Sequence, residues 1–206
     1  MLIRNKWKDK HNPDGDCVKN FNIKKYCKVF KNVFSKNYCD TIIKKIERDS
    51  PWQKHEFHDN YAETYKTYDD DLDVTGDIDE KNYNIIMDKT WNVIRDYIQD
   101  IDFFWFNNWK GYTPIRFNRY NVGTKMKIHC DHIHSVFDGQ KKGIPILSIV
   151  GVFNDSYKGG EFVMWERDEI KLPTGSVLVF PSNFLYPHKV CPVKKGVRYS
   201  YVSWVY

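Results

Sequence analysis

The 206 residues suit one ordinary domain with an extension and leave no room for two full-sized domains. With 41% hydrophobic and 29% charged residues the chain can bury a core, which excludes a disordered or fibrous polymer. The 14 Tyr, 13 Phe and 7 Trp tilt the expectation toward β-rich packing, and a net charge of +5 without a concentrated basic arm gives no indication of nucleic-acid binding.

In chain order, Met1 to Lys10 shows no apolar run after its charges, so no secretory leader is read there. No stretch approaches the ~18 consecutive apolar residues of a membrane span. Cys17, Cys27, Cys39, Cys130 and Cys191 are odd in number and lack a CxxC spacing, which points to a reduced, cytoplasmic protein rather than a disulfide framework. Residues 1–25, with the turn Asn12-Pro13-Asp14-Gly15, read as a surface arm, and residues 26–206 as a single domain. Cys27 to Phe30 suits a short strand. Ser35 is placed to cap a helix with Tyr38, Ile42, Ile43 and Ile46 at helical spacing, ending before Pro51. Residues 51–78 lose periodicity, and their acidic run Asp69-Asp70-Asp71-Leu72-Asp73 reads as a solvated loop. A second helix, capped by Asp77 or Asp79, carries a core stripe of Tyr83, Ile86, Met87, Trp91, Ile94, Tyr97, Ile98 and Ile101. The aromatic run Phe103 to Phe106 with Trp109 reads as core. Seven β-type runs follow: 115–120, 125–131, 144–153, 161–165, 169–172, 176–180 and 198–206. Their spacing predicts a sandwich or barrel with the helices outside.

The chemistry begins at His129-Cys130-Asp131. On an extended strand residues two apart share a face, so this pair can offer an imidazole and a carboxylate to one metal. Alone the motif is weak, because seven His and twenty Asp give roughly 0.7 such matches by chance. His188 supplies a second imidazole 57 residues after Asp131. Two His and one carboxylate on a β scaffold leave coordination positions open, as non-haem Fe(II) oxygen chemistry requires, whereas a structural zinc would want a fourth ligand. Arg198 opens the final strand and can grip a carboxylate bidentately, which suits a dicarboxylate with a chelating keto acid at its other end. His132 and His134 are rivals for the metal, read as solvent-facing. Gly159-Gly160 reads as a turn needing positive φ.

Taken in order, His129-x-Asp131, Gly159-Gly160-Glu161-Phe162, Pro187-His188-x-Val190 and Arg198-Tyr199 with Trp204 resemble the Fe(II)/2-oxoglutarate-dependent dioxygenases, in their prolyl 4-hydroxylase-like branch. The resemblance covers about residues 27–206. It implies a mainly β, α+β fold, the double-stranded β-helix or jelly roll, with the N-terminal helices on one sheet. It also implies Fe(II) on His129, Asp131 and His188, with 2-oxoglutarate on Arg198 and lined by Tyr120 and Trp204. Ser148 and Ser200 are candidates for the second bond to its distal carboxylate. Collagen-type members carry Lys where Arg198 stands, and the segment after Asp131 is long. The implied reaction consumes O2 and 2-oxoglutarate, with ascorbate as reductant, and hydroxylates an unactivated C–H. The expected substrate is a prolyl residue of a peptide or protein partner. A free amino acid or a nucleobase would suit the same chemistry, and a non-catalytic jelly-roll sensor is the reading from another class. Loops 51–78 and 132–145 are expected to close over the substrate, the acidic first loop favouring a basic peptide.

Overall fold

The computed structural model describes residues 22–59, 64–68, 70–101, 111–131 and 145–206. A 3-10 turn, Ile23–Tyr26, leads into β1 (Lys28–Phe30) and helix α1 (Lys36–Asp49). Four short strands come next, β2 (Gln53–Lys54), β3 (Phe57–Asp59), β4 (Thr64–Lys66) and β5 (Asp73–Thr75), and then helix α2 (Glu80–Ile101). The remaining strands are β6 (Arg116–Tyr120), β7 (Met126–His129), β8 (Leu147–Val152), β9 (Lys158–Gly159), β10 (Phe162–Met164), β11 (Asp168–Ile170), β12 (Val177–Pro181), β13 (His188–Val190), β14 (Val193–Lys195) and β15 (Arg198–Val205).

Both helices start where side-chain oxygens can take up free amides. Ser35 Oγ accepts from the Tyr38 N–H at 3.2 Å, and Asp79 Oδ1 accepts from the Asn82 N–H at 3.2 Å. The strands form a seven-stranded sheet in the order β1-β12-β8-β15-β6-β5-β2, faced by a four-stranded sheet in the order β11-β10-β13-β7. Two smaller pairs, β14-β9 and β3-β4, complete the pattern. All the ladders within these sheets are antiparallel, which is the jelly-roll arrangement.

Strand alternation divides the interior in two. Ile149, Val177, Val179, Phe117, Tyr199 and Tyr201 turn outward from the large sheet and pack with Cys39, Ile42 and Ile46 of α1 and Ile86, Ile94 and Tyr97 of α2. Val150, Val152, Leu178, Phe180 and Val202 turn inward to meet Phe162, Met164 and Val190 of the small sheet. Gly151 lies opposite Tyr201, and a Cβ there would fall 1.8 Å from the Tyr201 ring, so no other residue fits under that aromatic. Tyr201 Oη meets Thr90 Oγ1 at 2.8 Å in the buried layer, joining α2 to the sheet.

Several expectations are revised. Trp91 is 41% exposed and stacks on Tyr112, because α2 turns Thr90, Val93 and Ile94 to the sheet instead. The acidic run is not a solvated loop: Leu72 is fully buried, Asp71 and Asp73 are buried, and Asp73 pairs with Arg119 and Lys54. Asp71 accepts the Tyr68 N–H, and Asp70 pairs with Lys125 at the surface. Residues 51–78 also contain strands too short for alternation to register. The arm up to residue 21, the aromatic run 103–106 with Trp109, Asp69, His132 and His134, and loop residues 132–144 lie outside the described residues. Among the described residues no helix is long and apolar enough to cross a membrane.

Candidate active site

The ligand set is assembled at one edge of the small sheet. His188 opens β13 and stands directly opposite His129, the last residue of β7, with their rings 4.3 Å apart. The pairing shifts register between this pair and Val190 opposite Met126, so β7 bulges and turns both Met126 and His129 toward the same cavity. Asp131 follows in a bend rather than on an extended strand, so the bend, and not alternation alone, brings its carboxylate round. Asp131 Oδ1 is 3.3 Å from His129 Nε2 and 3.7 Å from His188 Nε2. One donor atom from each of the three residues lies within 4.8 Å of the others.

The backbone sets the tautomer of each histidine. His129 Nδ1 lies 2.8 Å from the Lys127 carbonyl and His188 Nδ1 lies 3.1 Å from the Tyr186 carbonyl. A carbonyl only accepts, so Nδ1 carries a proton and Nε2 is the nitrogen each ring turns to the cluster, free to offer a lone pair to a cation once it is deprotonated. Phe162 stacks on His188 at 5.3 Å and Phe180 meets it edge-on at 4.9 Å, fixing the ring plane. Burial pushes His188 below its ordinary value, with Asp131 opposing. At His129 burial acts downward too, but the hydrogen bond and charge of Asp131 prevail and raise it. Burial alone would raise the Asp131 carboxyl; the charge of His188 and the hydrogen bond and charge of His129 hold it well below the carboxylate range. The result is one anion between two imidazoles, a donor set for a divalent cation with coordination positions left over.

Arg198 lies deeper, 1% exposed, on the inner face of β15. Its Nη1 donates to Ser200 Oγ at 2.9 Å and its guanidinium carbon is 4.9 Å from the Tyr120 ring. Nε and Nη2 are buried without a hydrogen-bond partner among the described residues. A buried cation with two unanswered donors is costly, and an anionic ligand with two oxygens is what satisfies it. Ser200 therefore orients Arg198, while Ser148 bonds to Ser182 at 2.8 Å and its hydroxyl helps to hold the Asp131 carboxyl down.

The structure brings His129, Asp131, His188, Arg198, Tyr120 and Trp204 to one cavity between the sheets. Two more polar residues stand there that the sequence reading did not single out, Arg116 and Asn118. Both lie on β6 at two-residue spacing from Tyr120, and that alternation was the available signal. His188 occupies a strand of its own, too short to be seen as one in the sequence. Gly159 and Gly160 have φ of 74° and 65°, and a Cβ on Gly159 would fall 2.3 Å from the Pro192 carbonyl, so their structural reading stands. Cys130, between two ligands, is half-buried and does not line the cavity.

Comparison with known proteins agrees with this geometry. Residues 115–206 match the 2OG-Fe(II) oxygenase superfamily. A PKHD-type hydroxylase of Stenotrophomonas maltophilia is 34% identical over 99 residues, 46% of this chain and 43% of the relative, so the chain spans less than half the length of the curated relatives it matches. Among solved structures, a Trichoplax adhaerens prolyl hydroxylase in complex with a hypoxia inducible factor peptide fragment superposes with a TM-score of 0.65 at 15% identity, over 88% of this chain and 83% of that one. A collagen prolyl hydroxylase of Paramecium Bursaria Chlorella virus-1, in its 2-oxoglutarate complex, gives 0.57 at 16% identity, over 87% and 94%. The superfamily implies Fe(II), 2-oxoglutarate and O2, and the two imidazoles, the carboxylate and the unanswered Arg198 donors fit the first two. Residues 115–206 are similar to the 2OG-Fe(II) oxygenase superfamily, and the chain shares the jelly-roll fold of the prolyl hydroxylases.

Proposed function

We propose that the protein is a 2-oxoglutarate-dependent dioxygenase that hydroxylates an unactivated C–H, with a prolyl residue of a peptide or protein as its favoured substrate. One observation carries the activity: His129, Asp131 and His188 converge at the mouth of a cavity whose depth holds Arg198 with two unpartnered donors. In this reading the triad holds Fe(II), which supplies oxygen activation when bound. Arg198, steadied by Ser200 and Tyr120, takes the distal carboxylate of 2-oxoglutarate and so orients its keto acid toward the triad. Phe162, Phe180, Val150 and Val202 keep bulk water from the cavity. The preference for a prolyl residue is supported by the prolyl hydroxylases among the structural neighbours, one of which carries a bound peptide.

The test is anaerobic addition of Fe(II) and 2-oxoglutarate, followed by O2 with ascorbate present. A visible charge-transfer band and then succinate are expected, and His129→Ala should lose both. Absence of the band in the wild type would overturn the reading. Mass spectrometry on proline-containing peptides should find one added oxygen. Turnover of other substrates alone would leave the oxygenase and remove the prolyl assignment.

A further inference from the structure

The cavity has a second cation whose partner is missing from the chemistry so far. Arg116 lines it from β6, facing inward as do Asn118 and Tyr120. Cross-strand pairing sets Tyr120 opposite Arg198, Asn118 opposite Ser200 and Arg116 opposite Val202. Arg116 thus stands four residues along the ladder from the Arg198 rung, roughly 13 Å of strand. The two guanidiniums also lean apart. Arg198 lies over Tyr120, whereas Arg116 lies with its guanidinium carbon 5.4 Å from the Trp204 ring, toward the other end of β15.

Arg116 has one hydrogen bond, from Nε to Asn118 Oδ1 at 3.3 Å, and no ion pair with a described residue. Asp131, the only carboxylate among the cavity's described lining residues, is engaged with the two histidines. Asn118 is itself buried, and Trp204 and Val202 form an apolar wall beside the guanidinium. A delocalised cation held over an indole, with its Nη atoms unpaired and its Nε fixed, is arranged to receive two oxygens in its plane.

Resting on the function proposed above, we propose that Arg116, backed by Trp204 and oriented by Asn118, binds a carboxylate of the substrate and thereby restricts it to molecules with an anionic group close to the hydroxylated carbon. That carboxylate belongs either to the α-carbon of a free amino acid or chain terminus, or to an acidic side chain beside the target residue. The chemistry at Arg116 is the same for both.

The experiment uses full-length protein loaded with Zn(II), which is redox-inert, and saturated with 2-oxoglutarate. Calorimetry first measures 2-oxoglutarate binding to the wild type, Arg116→Met and Arg116→Lys. A panel of N-acetyl amino acids with their amides, and of peptides differing only in Asp for Asn beside a proline, is then titrated in, with Trp fluorescence as a second readout. At least one acid is expected to bind the wild type ten-fold or more tightly than its amide. That preference should vanish in Arg116→Met and return in part in Arg116→Lys, while 2-oxoglutarate affinity changes less than about two-fold. A preference confined to the N-acetyl acids identifies an α-carboxylate, and one confined to the Asp peptides a side chain. If no acid outbinds its amide, or if Arg116→Met weakens 2-oxoglutarate as severely as Arg198→Met, the proposal fails. Failure of the wild type to bind 2-oxoglutarate at all would instead overturn the underlying function. Unchanged circular dichroism in the variants separates loss of binding from loss of fold.

Discussion

Arg198 sets two expectations of opposite sign at one residue. Its buried, unpartnered nitrogens destabilise the ligand-free protein and attract a carboxylate for the same reason. Charge-assisted hydrogen bonds contribute about 1.5–3 kcal/mol each, so Arg198→Met should weaken 2-oxoglutarate binding roughly 10²-fold or more. The ligand-free variant should melt no lower than the wild type, and a large fall in both would show that Arg198 is structural. His55 gives a pH effect. Burial, with the charges of Arg116 and His129, pushes it down to about 3 from 6.5. The unfolded chain takes up a proton near 6.5 while the fold refuses one until far lower, so stability is full above that value and falls as pH drops through the window. The slope is at most about 1.4 kcal/mol per pH unit, and about 1.6 kcal/mol is expected to be lost between pH 6.5 and 5. Denaturant melts of His55→Asn should show a flatter dependence over that range; an unchanged slope would exclude His55 as the source.

At the scale of elements, the helix boundaries were readable because caps are local chemistry. Ser35 was identified as a cap from sequence, and its Oγ accepts the Tyr38 amide. Ser35→Ala should therefore cost about 1 kcal/mol and lower the melting temperature by roughly 2–4 °C, with metal affinity unchanged. The seven β-type runs correspond to β6, β7, β8, β10, β11, β12 and β15, displaced by at most three residues at their ends. Several other elements of two or three residues escaped, β13 with His188 among them, since periodicity needs more positions than they offer. The bulge in β7 was equally hidden, because it exists only relative to the partner strand. The burial of Asp73 was hidden for a related reason: its partners Lys54 and Arg119 are close in space and distant in sequence. Ordered motifs pointed to the six candidate site residues, while Arg116 and Asn118 required knowing which face of β6 looks inward.

For the whole molecule, the large sheet joins two packed layers, helices on one side and the site on the other. The Thr90–Tyr201 hydrogen bond is the buried polar link across the helix layer. Thr90→Val leaves the Tyr201 hydroxyl unpaired inside that layer and should cost about 1–3 kcal/mol. Adding Tyr201→Phe removes the unpaired group and should restore most of the loss, a recovery that thermal melts of the single and double variants would check. Because Tyr201 lies between Ser200 and Val202, β15 serves both layers at alternate positions. This constrains redesign. A stabilising repack on the helix side shifts the backbone that aims Arg198 and Ser200, so the two faces of β15 cannot be altered independently. Redesign of the cavity would do better to vary position 116 on β6, whose changes leave the helix layer untouched, and to keep β15 whole.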